Sequence, residues 1–81
     1  MQIEETSLPG VVVLTPRVFR DARGSGFESW SRRTLEAAGI TLDFVQDNVS
    51  FSTRRGTIRG LHFQRPPSPH AKLVMPVRGA I

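Results

Sequence analysis

Residues that force the backbone to turn recur along this chain at short spacing, and they limit its fold more than any other feature. Pro9-Gly10, Pro16, Asp21-Ala22-Arg23-Gly24, Gly39, Arg55-Gly56, Pro66-Pro67-Ser68-Pro69 and Arg78-Gly79 each carry a turn signal. Proline presets φ, glycine accepts φ above zero, and Asp hydrogen-bonds its own backbone. Between these signals lie Val11 to Leu14, Gly26 to Trp30, Phe44 to Phe51, Thr57 to Gln64 and Leu73 to Val77, all rich in β-branched and aromatic residues. The spacing predicts an all-β sandwich or barrel. One stretch departs from it. Ser31 to Ala38, SRRTLEAA, consists largely of good helix formers, with Ser31 placed to cap its start and Gly39 to stop it. It predicts a short helix that needs tertiary support.

Such a fold has little material for a core. The chain has 81 residues and no cysteine, so neither a disulfide nor a thiolate-metal site reinforces it, and a reducing cytoplasm is the expected compartment. No apolar run reaches the roughly 18 to 20 residues that cross a bilayer. The opening MQIEETSLPG is acidic where a signal peptide is basic, so a soluble protein without a membrane partner is expected. Eleven Lys and Arg against seven Asp and Glu give a net charge of +4. Arg54, Arg55, Arg59, Arg65, Lys72 and Arg78 all follow residue 50. That asymmetry suits a nucleic acid, a nucleotide phosphate or merely a solvated surface, and charge alone leaves the three open.

Alternation shows which side chains would travel together in a strand. In Phe44 to Phe51, one face carries Phe44, Gln46, Asn48 and Ser50, and the other Val45, Asp47, Val49 and Phe51. This fits a wall between a polar cavity and an apolar layer, or an amphipathic strand with its amides in water. In Lys72 to Val77, Leu73, Met75 and Val77 share a side, and Pro76 argues for an edge or bulge. The last residues, Gly79-Ala80-Ile81, read as the entrance to another strand.

The stretch RGLHFQ, residues 59 to 64, puts Arg59 and His62 in an apolar setting. A lone histidine there is ordinarily a structural residue. Here Lys72 lies one hairpin away and Arg59 three residues upstream. Fixed cations disfavour the protonated imidazole and leave it free to act as a base, and they also stabilise an oxyanion. Together they suit proton abstraction beside a carbonyl. In a regular strand, however, Arg59 and His62 face opposite sides, and Gly60 between them is the place for a bulge that re-aims one of them. His70, in the PPSPH loop, is expected to be exposed. Two histidines without cysteine or ligand-like spacing argue against a metal site. No glycine-rich phosphate loop or nucleophile elbow is present in the sequence. Phe51 and Phe63 among the arginines make only a weak nucleic-acid signal.

Four ordered runs, DARGSGFESW, FVQDNVSFS, RGTIRGLHFQRPP and AKLVMPVRGAI, resemble the amino-terminal part of the dTDP-4-dehydrorhamnose 3,5-epimerase family over nearly the whole chain. The resemblance implies a cupin-type jelly-roll, a double-stranded β-helix, of which residues 1–81 are the N-terminal portion, in a homodimer that exchanges an N-terminal strand. It implies epimerisation at C3 and C5 of dTDP-4-dehydro-6-deoxy-glucose, both positions adjacent to the C4 ketone, with no cofactor and no metal. His62 would correspond to the general base and Lys72 to the cation beside the keto oxygen. Arg59 would meet the diphosphate, and Arg23, Glu28, Gln46 and Asn48 would bind the nucleotide part. In the family the general acid is a tyrosine in the second half of the domain, and this chain contains no tyrosine. About half of the jelly-roll is therefore expected to be absent, and the chain alone is expected to be inactive. The alternative is a truncated, non-catalytic β-domain that binds a nucleotide sugar or is purely structural.

Overall fold

The structure, a computed structural model, describes residues 1–67 and 70–81. The chain divides into two units, Met1–Val45 and Gln46–Ile81.

The first unit is built from hairpins. Strand β1 (Gln2–Glu5) pairs antiparallel with β2 (Val12–Thr15), in the register Gln2↔Thr15, Ile3↔Leu14, Glu4↔Val13 and Glu5↔Val12. The sequence places β2 one residue earlier and gives no strand signal for β1, whose two glutamates are poor strand formers. Pairing with β2 outweighs that preference. The reversal at Pro9-Gly10 is held by Thr6, whose hydroxyl donates to the Val11 carbonyl at 2.8 Å and accepts the Leu8 N–H at 3.2 Å.

The second ribbon pairs β3 (Val18–Asp21) with β4 (Gly24–Phe27), Val18 opposite Phe27 and Asp21 opposite Gly24. The turn expected at Asp21 to Gly24 is present, closed by the Asp21 carboxylate, which accepts the Arg23 backbone N–H at 2.8 Å. Its closure places β4 two residues ahead of the expected start at Gly26 and makes a strand of Gly24-Ser25-Gly26-Phe27. On β3, the Arg17 guanidinium lies 4.9 Å above the Phe19 ring, a cation–π contact that shields one face of that ring.

Helix α1 (Arg32–Ala37) forms where the capping residues place it. Ser31 is extended, and its hydroxyl accepts the Thr34 N–H at 3.3 Å. At the other end Gly39, at φ +83°, adopts the left-handed conformation that few other residues tolerate. Its N–H reaches the Glu36 carbonyl at 3.0 Å, and that of Ile40 reaches Leu35 at 2.8 Å, the paired bonds of a Schellman stop. Leu35 is the one buried apolar side chain among the described residues, at 3% exposure, so the core of this unit is a single residue deep. In the same unit Trp30 meets Phe44 edge to face at 6.1 Å, and Arg32 pairs with Asp43 at 2.6 Å. The ion pair is solvent-exposed and adds little stability.

The second unit differs from expectation. Among its described residues there is no strand and no helix. The segments expected as strands, Phe44 to Phe51, Thr57 to Gln64 and Leu73 to Val77, form no ladder, and among the described residues there is no closed barrel. A strand's N–H and C=O groups must be satisfied by a neighbour, and these segments find none within the unit. Their apolar side chains stay in water, Val49 at 91% and Leu61 at 104% exposure. The faces assigned to residues 44–51 therefore have no strand to carry them. Local turns persist. Arg55-Gly56 is bridged by Thr57, whose hydroxyl donates to the Arg54 carbonyl at 2.7 Å, and Pro66-Pro67 also turns. Ser68 and Pro69, the remainder of that expected turn, lie outside the described residues. Among the described residues, no helix is long and apolar enough to cross a membrane.

Candidate functional site

Two of the residues expected to bind substrate, Arg23 and Glu28, line one open cleft of about 550 Å³ in the first unit, together with Phe19, Phe27, Asp21 and Ser25. The β3–β4 reversal carries Arg23, and Glu28 follows directly after β4. The Asp21 carboxylate holds the Arg23 guanidinium at 2.6 Å as well as its backbone N–H. Glu28 is held from the helix: the Thr34 hydroxyl donates to its carboxylate at 2.8 Å. The cleft thus combines a guanidinium for an anion, an acceptor-only carboxylate for a hydroxyl or N–H, and two aromatic rings for a planar group. The sequence reading missed Phe19, Phe27 and Asp21. Pairing of β3 with β4 brings them together, and it becomes legible only once Val18–Asp21 is recognised as a strand.

The Arg23 guanidinium beside Asp21, reinforced by the Arg23 backbone N–H, holds the Asp21 carboxyl below the usual carboxylate range, and Asp21 in turn raises the Arg23 guanidinium. Because the folded value of Asp21 is depressed, whatever the pair adds to stability is present above the ordinary aspartate range and is lost as pH falls through the lowered value. Both groups are exposed, so little change in melting temperature is expected. In a carboxyl-carbon NMR titration, Arg23→Ala is expected to move the Asp21 midpoint upward. An unmoved midpoint would show that the ion pair does not form in solution.

The remaining site residues lie in the second unit and are exposed. Gln46 and Asn48, expected on one face of a strand, have no strand to carry them, and the Gln46 amide donates to Asn48 Oδ1 at 3.2 Å. Arg59 folds back on its own unit, with Nε donating to Ser52 Oγ at 3.1 Å and Nη2 to the Phe51 carbonyl at 3.0 Å. The bulge expected at Gly60 is absent because a bulge requires a ladder to interrupt. Gly60 instead takes φ +117°, and a Cβ placed there would lie 3.6 Å from His62 Nδ1, so the imidazole sits directly beside it. No hydrogen bond or ion pair joins His62 to Arg59 or to Lys72 among the described residues. The structure gathers Arg23 with Glu28 and Gln46 with Asn48, and leaves His62 and Lys72 unjoined. His70 is exposed, as expected. Among the described residues no three His, Cys, Asp or Glu side chains cluster as metal ligands would.

Comparison with known proteins places these residues in a family. The family model described as dTDP-4-dehydrorhamnose 3,5-epimerase matches residues 5–81. A dTDP-4-dehydrorhamnose 3,5-epimerase of Methanothermobacter thermautotrophicus is 44% identical over 77 residues, which are 95% of this chain and 40% of that protein. The Shigella flexneri protein of the same name is 43% identical over 82 residues, covering 100% of this chain and 45% of its own length. The Pseudomonas aeruginosa protein is 48% identical over 65 residues, covering 79% of this chain and 35% of its own length. This chain spans less than half the length of these curated relatives. No solved structure matches it significantly. With its family model matched from residue 5 to residue 81, the chain belongs to the dTDP-4-dehydrorhamnose 3,5-epimerase family.

Proposed function

We propose that this chain supplies the base-bearing, N-terminal portion of an epimerase that converts dTDP-4-dehydro-6-deoxy-glucose to dTDP-4-dehydro-rhamnose, in dTDP-rhamnose or deoxysugar biosynthesis in the cytoplasm. The observation that carries the reading is the gathering of Arg23 and Glu28 in one aromatic-lined cleft, in a chain that belongs to this family. His62 removes the proton from C3 or C5. The electrons of the broken C–H bond flow toward the C4 carbonyl, forming an enolate whose oxygen is stabilised by the Lys72 ammonium. Return of a proton to the opposite face of the same carbon inverts the centre and regenerates the ketone. A tyrosine acid for that step must come from outside this chain, which contains none. Arg59 takes the diphosphate, while Arg23, Glu28, Gln46 and Asn48 take the nucleotide.

In this reading residues 1–81 are the first part of one jelly-roll, and the segments around Val49, Leu61 and Val77 become strands when the rest of the sheet pairs with them. A homodimer that exchanges an N-terminal strand completes the assembly. The test is a chimera in which residues 5–81 replace the matching segment of the Methanothermobacter relative. In deuterated water it is expected to place deuterium at C3 and C5 of the substrate, read by NMR. A folded chimera that exchanges neither position would overturn the proposal.

A second reading is favoured by the position of the cleft, which lies wholly within Met1–Val45. The chain would then be a non-catalytic β-domain that binds the nucleotide sugar. Calorimetry with dTDP and an activity assay on the 81-residue chain separate the two, because turnover by the chain itself excludes the second.

A further inference from the structure

The chain's own helix bears on the cleft through one side chain. Thr34 stands in the first turn of α1, is half-buried, and has its backbone N–H fixed by the Ser31 hydroxyl at 3.3 Å. Its hydroxyl donates to Glu28 Oε1 at 2.8 Å. Glu28 has no strand to hold it, because β4 ends at Phe27. It also forms part of the wall of a second, smaller hollow of about 260 Å³, shared with Arg17, Phe19 and Thr34. A free glutamate side chain at such a rim samples many rotamers and loses that freedom on binding a ligand. A hydrogen bond from a residue anchored in a capped helix removes part of that cost beforehand and leaves the second carboxylate oxygen for the ligand.

We propose that Thr34 is a positioning residue for nucleotide binding, holding the Glu28 carboxylate toward the cleft so that it accepts an O–H or N–H from a nucleoside diphosphate. The inference rests on the proposed function, since it takes Glu28 as a nucleotide contact. Thr34 itself does not touch the ligand. Its action depends on the hydroxyl, so serine substitutes for it and valine, of nearly the same shape, does not.

The experiment is calorimetric titration of the 81-residue chain with dTDP. Thr34→Val is expected to weaken binding by about fivefold, the scale of one hydrogen bond to a charged group at a partly exposed site. Thr34→Ser is expected to restore affinity to within about twofold. In the Glu28→Ala background, which removes the acceptor, Thr34→Val is expected to have no further effect, because the pair acts as a unit. A merely structural role for Thr34 would instead lower the melting temperature and add the same loss of affinity in both backgrounds. If Glu28→Ala weakens binding but Thr34→Val does not, or if the two losses add, the positioning role is wrong and the proposed function stands. If Glu28→Ala leaves affinity unchanged, or the parent chain does not bind dTDP, Glu28 is no contact in this chain and the positioning role falls, while the proposed function is decided separately by deuterium exchange in the chimera.

Discussion

His62→Ala in the chimera with the Methanothermobacter relative is expected to slow deuterium exchange at C3 and C5 by about a thousandfold, within the range attributed to a positioned general base. Affinity for dTDP should change by no more than about twofold, because in the proposed role the imidazole acts on the sugar carbon and not on the nucleotide. The two readouts together distinguish loss of a base from loss of a fold. A glutamine at the same position keeps polarity and approximate size without a usable base, and is expected to be as inactive as alanine. Exchange at the parental rate in either variant would remove His62 from the chemistry. Gly60 bears on the same residue. With φ at +117°, it holds a conformation that a side chain rarely adopts, and a Cβ there would meet the imidazole Nδ1 at 3.6 Å.

Leu35→Ala is expected to cost about 2 to 3 kcal/mol, near the lower end of the range for emptying a leucine site because the surroundings are open enough to relax. In a larger domain that loss would be tolerable. Here Leu35 is the one buried apolar side chain among the described residues, and a helix of six residues has no stability of its own. The Schellman bonds of Gly39 and Ile40 should therefore open together, losing amide-exchange protection at both N–H groups. Leu35→Met conserves volume and is expected to retain protection. Protection that survives Leu35→Ala would mean that the caps, and not burial, hold the helix. Because Thr34 is adjacent, loss of the helix also predicts weaker dTDP binding, to a degree that Thr34→Val alone should approach.

Features that depend on few neighbouring residues were legible in the sequence. The helix runs between Ser31 and Ala38 as its caps require, and the Asp21 to Gly24 and Arg55-Gly56 turns form where they were expected. Strands were less so. Gln2–Glu5 carries no strand signal and Gly24–Phe27 only a partial one, and yet both are strands because each has a partner a short loop away. Phe44 to Phe51 and Thr57 to Gln64 carry strong ones and are not, because nothing pairs with them. Intrinsic preference for a strand is small beside the cost of an unpaired backbone.

By itself, then, the sequence determined what is chemically available and what can close locally: a histidine, a lysine and arginines close together in sequence, no tyrosine, a capped helix and a series of turns. Its four motifs also determined the family. Tertiary structure decided which segments pair, that Asp21 holds Arg23, and that Thr34 on the helix reaches Glu28 beside the cleft. The division follows from physics. A cap or a turn satisfies its hydrogen bonds within a few residues, whereas a strand depends on donors and acceptors elsewhere in the chain, and no local pattern states which of them will be there.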